Sequence, residues 1–275
     1  MRSGWAWVRL IHPFPSFVVA ATGLGLALTL APLSPAEAAR LWTMLLASQV
    51  AIGALNEYCD APLDRLGQPG KPIPSGRVPR AGALGLSVVG LLTSVFLMAG
   101  YGPSTLLIGI TGLSVGVFYD LRGKGSIWGW VPYVVAIPLL PLWVWSAIGV
   151  LELRTLWVYP LGALLALCLH IANTVPDYDA DLAAGSRTVV HAIGLVPSVW
   201  LLRGCFGVLL LLGLGLIALV GWSRPVALVG LPGAVLGGVG TFLAGAPAHA
   251  RLAFRLLAAG AGLLAVCAAL LLRSG

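Results

Sequence analysis

The chain has 275 residues, 59% of them hydrophobic and 9% charged, with sixteen Lys and Arg against nine Asp and Glu for a net charge of +7. An ordinary globular protein is about 25% charged, so composition excludes a soluble domain of this length and points to a polytopic membrane protein. The positive balance does not indicate nucleic acid, because the cations sort by loop.

A helix needs about 20 residues to cross roughly 30 Å of hydrocarbon. Apolar runs of that kind lie near 14–33, 41–57, 82–100, 103–119, 128–148, 155–175, 204–222, 226–244 and 252–272, nine in all. The uncharged stretch from Ala81 to Tyr119 is too long for one crossing, and Gly100-Tyr101-Gly102-Pro103 supplies the turn that divides it. Loop parity then places Arg2, Arg9, Arg65, Lys71, Arg77, Arg80, Arg122, Lys124, Arg187, Arg203, Arg251 and Arg255 on one side. Only Arg40, Arg154, Arg224 and Arg273 fall on the other. The positive-inside bias makes the first side cytoplasmic, with the amino terminus inside and the carboxyl terminus outside. No small-residue cleavage site follows the basic start, so the first span reads as retained.

Taken in order, Arg9-Leu10-Ile11-His12-Pro13 leads into the first span. Arg9 and Trp7 read as interfacial anchors with Pro13 starting the helix, and Arg9 has a second reading as a cation for an anionic substrate group. The second span runs into Asn56-Glu57-Tyr58-Cys59-Asp60-Ala61-Pro62-Leu63-Asp64, an N-x-x-x-D-x-x-x-D pattern that returns as Asn173 to Asp181 after the sixth span. On a helix, steps of four keep the Asn and both Asp near one face. Between Gln68 and Arg77, prolines and glycines forbid a helix, and the freed backbone N–H groups, with Lys71 and Arg77, suit an anion site.

The fourth span ends at Phe118-Tyr119-Asp120-Leu121-Arg122-Gly123-Lys124, and Trp128, Trp130 and Tyr133 read as an interfacial aromatic belt. His170 reads as a hydrogen-bonded helix residue, and segment 188–203 as a short helix leading to the seventh span. The last three spans carry no acidic residue and read as scaffold. The four cysteines show no metal-ligand or redox spacing and, Cys59 aside, read as small buried hydrophobes.

Seven of the nine carboxylates (Glu57, Asp60, Asp64, Asp120, Asp177, Asp179, Asp181) gather in or beside three loops of one side. Mg2+ takes oxygen ligands, keeps several waters and is completed by substrate phosphates. Two acidic helix faces flanked by Lys71, Arg77, Arg122, Lys124 and Arg187 suit a diphosphate head, and the apolar spans below suit a long tail. The matching chemistry is ionisation of an allylic diphosphate, with aromatic rings holding the cation.

These residues resemble the UbiA-type intramembrane prenyltransferase superfamily over most of the chain. The resemblance implies an all-α polytopic bundle of about nine transmembrane helices around a central cavity opening to the cytoplasm. One domain over 1–275 is expected, with the two motifs, each ending a span on the same side, reading as a parallel internal repeat, in a bacterial or archaeal plasma membrane. Asn56, Asp60 and Asp64 match the family's first metal-diphosphate motif, and Asp177 and Asp181 its second. Lys71-Pro72-Ile73-Pro74-Ser75-Gly76 resembles its R-P-I-P-S-G loop, with Lys71 in place of Arg. Tyr119 stands for the tyrosine of its Tyr-x-x-x-Lys element, which is off register here, leaving Arg122 or Lys124 as the cation. Catalysis is thus expected from Asp60, Asp64, Asp177, Asp181 and Tyr119. Donor and acceptor contacts are expected from Asn56, Arg65, Lys71, Arg77, Arg122, Lys124, Asn173, Arg187 and Arg9. The implied partners are a polyprenyl diphosphate and an acceptor, first an aromatic quinone precursor such as 4-hydroxybenzoate, alternatively a lipid or porphyrin alcohol. An ion-coupled transporter is the alternative from another class, although transporter sites lie nearer the bilayer midplane than these helix-end acids.

Overall fold

The first span starts at Pro13 because proline has no N–H to leave unsatisfied at a helix start. The second starts from Ser34, whose hydroxyl accepts from the Glu37 N–H while the Glu37 carboxylate accepts from the Ser34 N–H. The computed structural model describes residues 2–183 and 185–274, so Ala184 of the Leu182–Thr188 segment lies outside the described residues. The side chains of residues 2, 3, 154, 180 and 274 also lie outside it, including Arg2 and Arg154 of the loop count.

Among the described residues, nine helices are long and apolar enough to cross a membrane. The protein is an all-α, multi-pass integral membrane protein. A short helix α1 (Arg2–Leu10) precedes the spans α2 (Pro13–Leu30), α3 (Pro35–Gly67), α4 (Arg80–Ala99) and α5 (Pro103–Phe118). Pro138 breaks the fifth span into α6 (Trp130–Ala136) and α7 (Leu139–Ala147). The sixth span, α8 (Val158–Thr174), is followed by two short helices, α9 (Tyr178–Ala183) and α10 (Val189–Ile193). The chain ends in α11 (Leu195–Val220), α12 (Arg224–Leu243) and α13 (Ala250–Ser274). Segment 188–203 is therefore α10 plus the first turns of α11.

Two departures from expectation concern the motifs. Helix α3 continues ten residues past the expected end at 57, to Gly67, so the whole first motif is helical. The second motif is not one helix face: Pro176 cannot donate to the helical ladder, and Val175–Asp177 forms a 3-10 turn between α8 and α9. The motif is thus split, with Asn173 on α8, Asp177 in the 3-10 turn and Asp181 on α9.

Close helix approach depends on missing side chains. A Cβ on Gly260 of α13 would sit 2.6 Å from the Gly237 nitrogen of α12, and one on Gly90 of α4 would sit 2.8 Å from the Ala47 carbonyl oxygen of α3. Apolar packing divides into two main clusters, one around Leu26, Leu41, Met44 and Trp145, the other around Ile171, Leu202, Phe206 and Leu257. A cavity of about 1160 Å³ is lined by residues of both. That exceeds the roughly 300–1,000 Å³ of an ordinary small-ligand pocket.

Candidate active site

Helix α5 widens at its end into a π-helical turn over Tyr119–Gly123, closed by the Lys124 N–H donating to the Tyr119 carbonyl at 2.9 Å. Such turns re-aim side chains. Here the turn brings the Lys124 ammonium onto the Asp60 carboxylate of α3. Burial alone would lower the Lys124 pKa, but Asp60 and Asp120 outweigh it and hold the ammonium above the ordinary lysine range. The loop after α3 does the same with Lys71, whose Nζ lies 2.8 Å from Asp64 Oδ2 and 3.2 Å from Glu57 Oε1. Its burial is likewise outweighed, by Glu57 and Asp64, and its pKa is raised. Both lysines therefore sit fully charged on the carboxylates of the first motif.

The second motif faces the same cluster. Burial, then Asp177, pushes the Asp181 pKa up, while Lys124 and Asp60 act on it from across the site with opposite signs. The Arg187 N–H donates to the Gly125 carbonyl at 2.7 Å, tying the loop after α9 to the loop after the π-turn. His191 of α10 stacks on Tyr178 at 4.6 Å and its Nε2 lies 3.0 Å from the Tyr178 carbonyl oxygen, holding α9 in place.

Below these charges the cavity mouth is lined by His12, Asn56, Tyr119, Asp120, Lys124, Tyr133, Asn173 and Asp177. Asn56 donates through Nδ2 to Asp120 at 2.9 Å, and Asn173 donates to the Tyr133 hydroxyl at 3.1 Å. Each asparagine side-chain amino group thus donates to a neighbour. The rings of Tyr119 and Tyr133 meet edge to face at 5.4 Å, and Tyr133 meets His170 at 4.9 Å. Tyr133 is therefore a cavity residue and not a belt residue, whereas Trp128 is 68% exposed as a belt residue should be. His170 corrects another expectation: it is buried, and neither ring nitrogen has a hydrogen-bond partner among the described residues.

Of the remaining cations, Arg9, Arg65, Arg122 and Arg187 are exposed, and their side chains are absent from the cavity lining. Arg77 is spent on its own loop, donating to the Ser75 hydroxyl and the Gly70 carbonyl. Four residues outside the expected site belong to this cluster. Glu57 is buried between Lys71 and His12, and Asp120 is buried with its second oxygen unpartnered among the described residues. Both belong to the seven clustered acids, and their adjacency to Asn56 and Tyr119 is the sequence signal that marks them. Arg251 and Arg255 of α13 line the cavity, and Arg251 Nη2 lies 3.6 Å from Asp177 Oδ1. The last span is therefore not mere scaffold. Nothing in local spacing marks that pair, because only the packing of α13 brings these exposed side chains to the cavity rim beside Asp177.

Fold and site together define an intramembrane helical bundle with a cap of interleaved acids and bases over a large apolar hollow. Residues 16–259 match the UbiA prenyltransferase family, so the chain belongs to that family. The Bacteriochlorophyll synthase 33 kDa chain of Cereibacter sphaeroides is 28% identical over 203 residues, 67% of this chain and 66% of that one. The Digeranylgeranylglyceryl phosphate synthase of Pyrococcus abyssi is 26% identical over 166 residues, 56% of each. The chain thus spans less than two thirds of the length of these curated relatives in each match, 66% and 56%. Among solved structures, a UbiA homolog from Archaeoglobus fulgidus bound to GPP and Mg2+ superposes with a TM-score of 0.71 at 16% identity, covering 96% of this chain and 99% of that one. A Digeranylgeranylglyceryl phosphate synthase structure gives 0.71 at 14% identity, with 98% and 99% covered. At these identities the likeness is one of fold.

The donor set fits a hard cation. Among the described residues no three carboxylate, imidazole or thiolate groups stand close enough to enclose a metal ion by themselves. Oxygen donors from two sides, few at any one point, are what Mg2+ uses when substrate phosphates and water complete its shell.

Proposed function

We propose that the protein transfers a prenyl or polyprenyl group from its diphosphate to the hydroxyl of a lipid alcohol, releasing diphosphate, with Mg2+ as cofactor. The observation that carries this reading is the meeting of two acidic segments distant in sequence, Asp60/Asp64 and Asp177/Asp181, with Lys71 and Lys124 at one end of a 1160 Å³ apolar cavity.

Asn56, Asp60, Asp64, Asp177 and Asp181 are the residues that would hold Mg2+. When bound, the metal supplies Lewis-acid stabilisation of charge developing on the leaving diphosphate. Lys71 and Lys124 move from carboxylate to phosphate oxygens as the donor binds, and they neutralise what the metal does not. The Tyr119 and Tyr133 rings face the cavity where the allylic cation forms and stabilise it through their π faces. The apolar wall excludes water, which would otherwise capture that cation. The acceptor hydroxyl oxygen then bonds to the allylic carbon, and its proton passes to the released diphosphate.

The names of the relatives favour a lipid acceptor over the aromatic quinone precursor expected first. Six of the eight curated matches at this level are digeranylgeranylglyceryl phosphate synthases. The loop bias of Lys and Arg supports a site facing the cytoplasm, with the chain as one domain. The test is purified protein in nanodiscs with Mg2+, polyprenyl diphosphates of graded length, and a lipid alcohol or an aromatic acid as acceptor, read by product mass. Prenylated lipid is expected. No prenylated product from any acceptor, with diphosphate unreleased, counts against the whole reading, and prenylated aromatic acid alone counts against the lipid acceptor.

A further inference from the structure

His12 joins the lead helix α1 to the first span, and among the described residues it is the one non-glycine residue with a positive φ, at 45°. That conformation is uncommon outside glycine, and the surroundings must hold it in place. Gly53 of α3 leaves room for the turn, since a Cβ there would sit 3.1 Å from the Ile11 carbonyl carbon. The Ser16 hydroxyl donates to the Ile11 carbonyl. One helical turn along α3 from Gly53, Glu57 Oε1 lies 3.3 Å from His12 Nε2. Glycine or asparagine would make the same turn at lower cost, so packing of the turn does not explain the imidazole.

Of the chain's four histidines, His12 is the one that lines the cavity. Its Nε2 is buried against Glu57 while the side chain is 39% exposed, so the ring turns its Nδ1 edge to the hollow. The Nε2 contact is close without hydrogen-bond alignment, as catalytic contacts often are before substrate binds. Glu57 Oε1 is shared with Lys71 Nζ at 3.2 Å. The imidazole therefore stands between the diphosphate end and the apolar hollow, where the allylic carbon parts from its leaving group. Once Lys71 has moved to phosphate oxygens, His12 is the remaining partner of Glu57 among the described residues. A buried carboxylate so placed keeps the proton of a neutral imidazole on the nitrogen facing it, fixes the ring and stabilises its charged form.

We propose that His12 is the base that takes the proton of the acceptor hydroxyl, with Glu57 as its positioning residue. The inference rests on the prenyl-transfer reading. As the acceptor oxygen bonds to the allylic carbon it becomes a positively charged oxonium, whose O–H is acidic enough for neutral imidazole to accept the proton at Nδ1. The bonding pair stays on the ether oxygen. The imidazolium, paired with Glu57, hands the proton to the released diphosphate and returns to its neutral form.

The test uses the full chain in nanodiscs with Mg2+, geranyl diphosphate and an alkylglycerol offered with and without a phosphate, read by product mass. His12→Gly removes the ring from a backbone that glycine adopts freely, and should lower kcat about a hundredfold with KM for donor and acceptor within about twofold, the scale of one lost general base. Imidazole added to that variant should restore kcat about tenfold, saturably, and leave wild type unmoved. His12→Asn suits the same backbone and keeps a donor toward Glu57 but takes up no proton, so it should melt with wild type and be as slow as His12→Gly. Wild-type kcat in either variant overturns the proposal, as does a slow His12→Gly that imidazole does not rescue. A second measurement is independent of turnover: labelling of His12 by diethyl pyrocarbonate, read by peptide mass, should be blocked when an unreactive thio analogue of geranyl diphosphate binds with Mg2+. Blocked labelling in a protein that forms no product keeps His12 at the donor head and sinks only the transfer reading. Labelling that a bound analogue leaves unchanged puts His12 away from the reacting carbon and overturns the proposal.

Discussion

Removing the charge of Glu57 tests whether the lysine loop is held by the buried acid beneath it. The Glu57 side chain is 3% exposed, and its Oε1 lies 3.2 Å from Lys71 Nζ and 3.3 Å from His12 Nε2. At an effective dielectric of about 20, unit charges 3.2 Å apart attract by about 5 kcal/mol before desolvation is counted. Breaking such a pair by changing one partner costs about 3–5 kcal/mol when the other charge is stranded. Lys71 is not stranded, because Asp64 remains 2.8 Å away. Glu57→Gln should therefore destabilise by about 1–3 kcal/mol, below that range. The freed loop should also let Lys71 wander, raising KM for the diphosphate donor. Lys71→Met in the Glu57→Gln background should cost less than the two single changes summed, since each removes the other's reason for being charged. Thermal unfolding in detergent, with the four proteins of the cycle side by side, reads this coupling. A Glu57→Gln protein as stable as wild type, with strictly additive effects, refutes the account of a buried acid anchoring the loop.

Asp60→Asn and Asp181→Asn should each lower kcat by about 10²–10³, the scale of losing one preorganised electrostatic contact in a water-poor site; steady-state diphosphate release measures it, and a loss below tenfold would remove that residue from the site. Chelation of divalent ions should stop turnover and readdition of Mg2+ restore it. Because burial and Asp177 raise the Asp181 pKa, its carboxylate takes up a proton at a higher pH than a free aspartate does. The Mg2+ concentration for half-maximal rate should accordingly begin to climb earlier on acidification than a free carboxylate predicts, and Asp181→Asn should flatten that climb. Gly260→Ala should destabilise by about 1–3 kcal/mol, because its Cβ meets the Gly237 nitrogen at 2.6 Å and α12 must retreat; unchanged melting would show that the two helices have slack.

Much of this protein follows from the sequence alone. Nine runs too apolar for water must cross a bilayer as helices, since hydrocarbon leaves no other partner for the backbone. The scarcity of carboxylates made those that remain conspicuous, and two matching patterns with a Pro-Gly loop beside the first outlined the metal and diphosphate end. Element breaks are legible where proline opens a helix, as at Pro13 and Pro103, because a missing N–H is a local property, whereas the break of the fifth span at Pro138 is not read from the sequence.

What tertiary structure decided is which of several equivalent charges faces inward. Arg122 and Lys124 are two residues apart, and the π-turn sends Lys124 to Asp60 at the cavity while Arg122 stays outside the lining. Tyr133 reads as belt in sequence and is cavity wall in space, since an aromatic near a helix end satisfies both descriptions until its neighbours are known. Arg251 and Arg255 lie far along the chain from either acidic pattern, and no periodicity links them to Asp177. Local spacing reports faces of single helices, whereas a site between helices is set by how those faces are turned toward one another, and that is a sum over contacts along the whole chain.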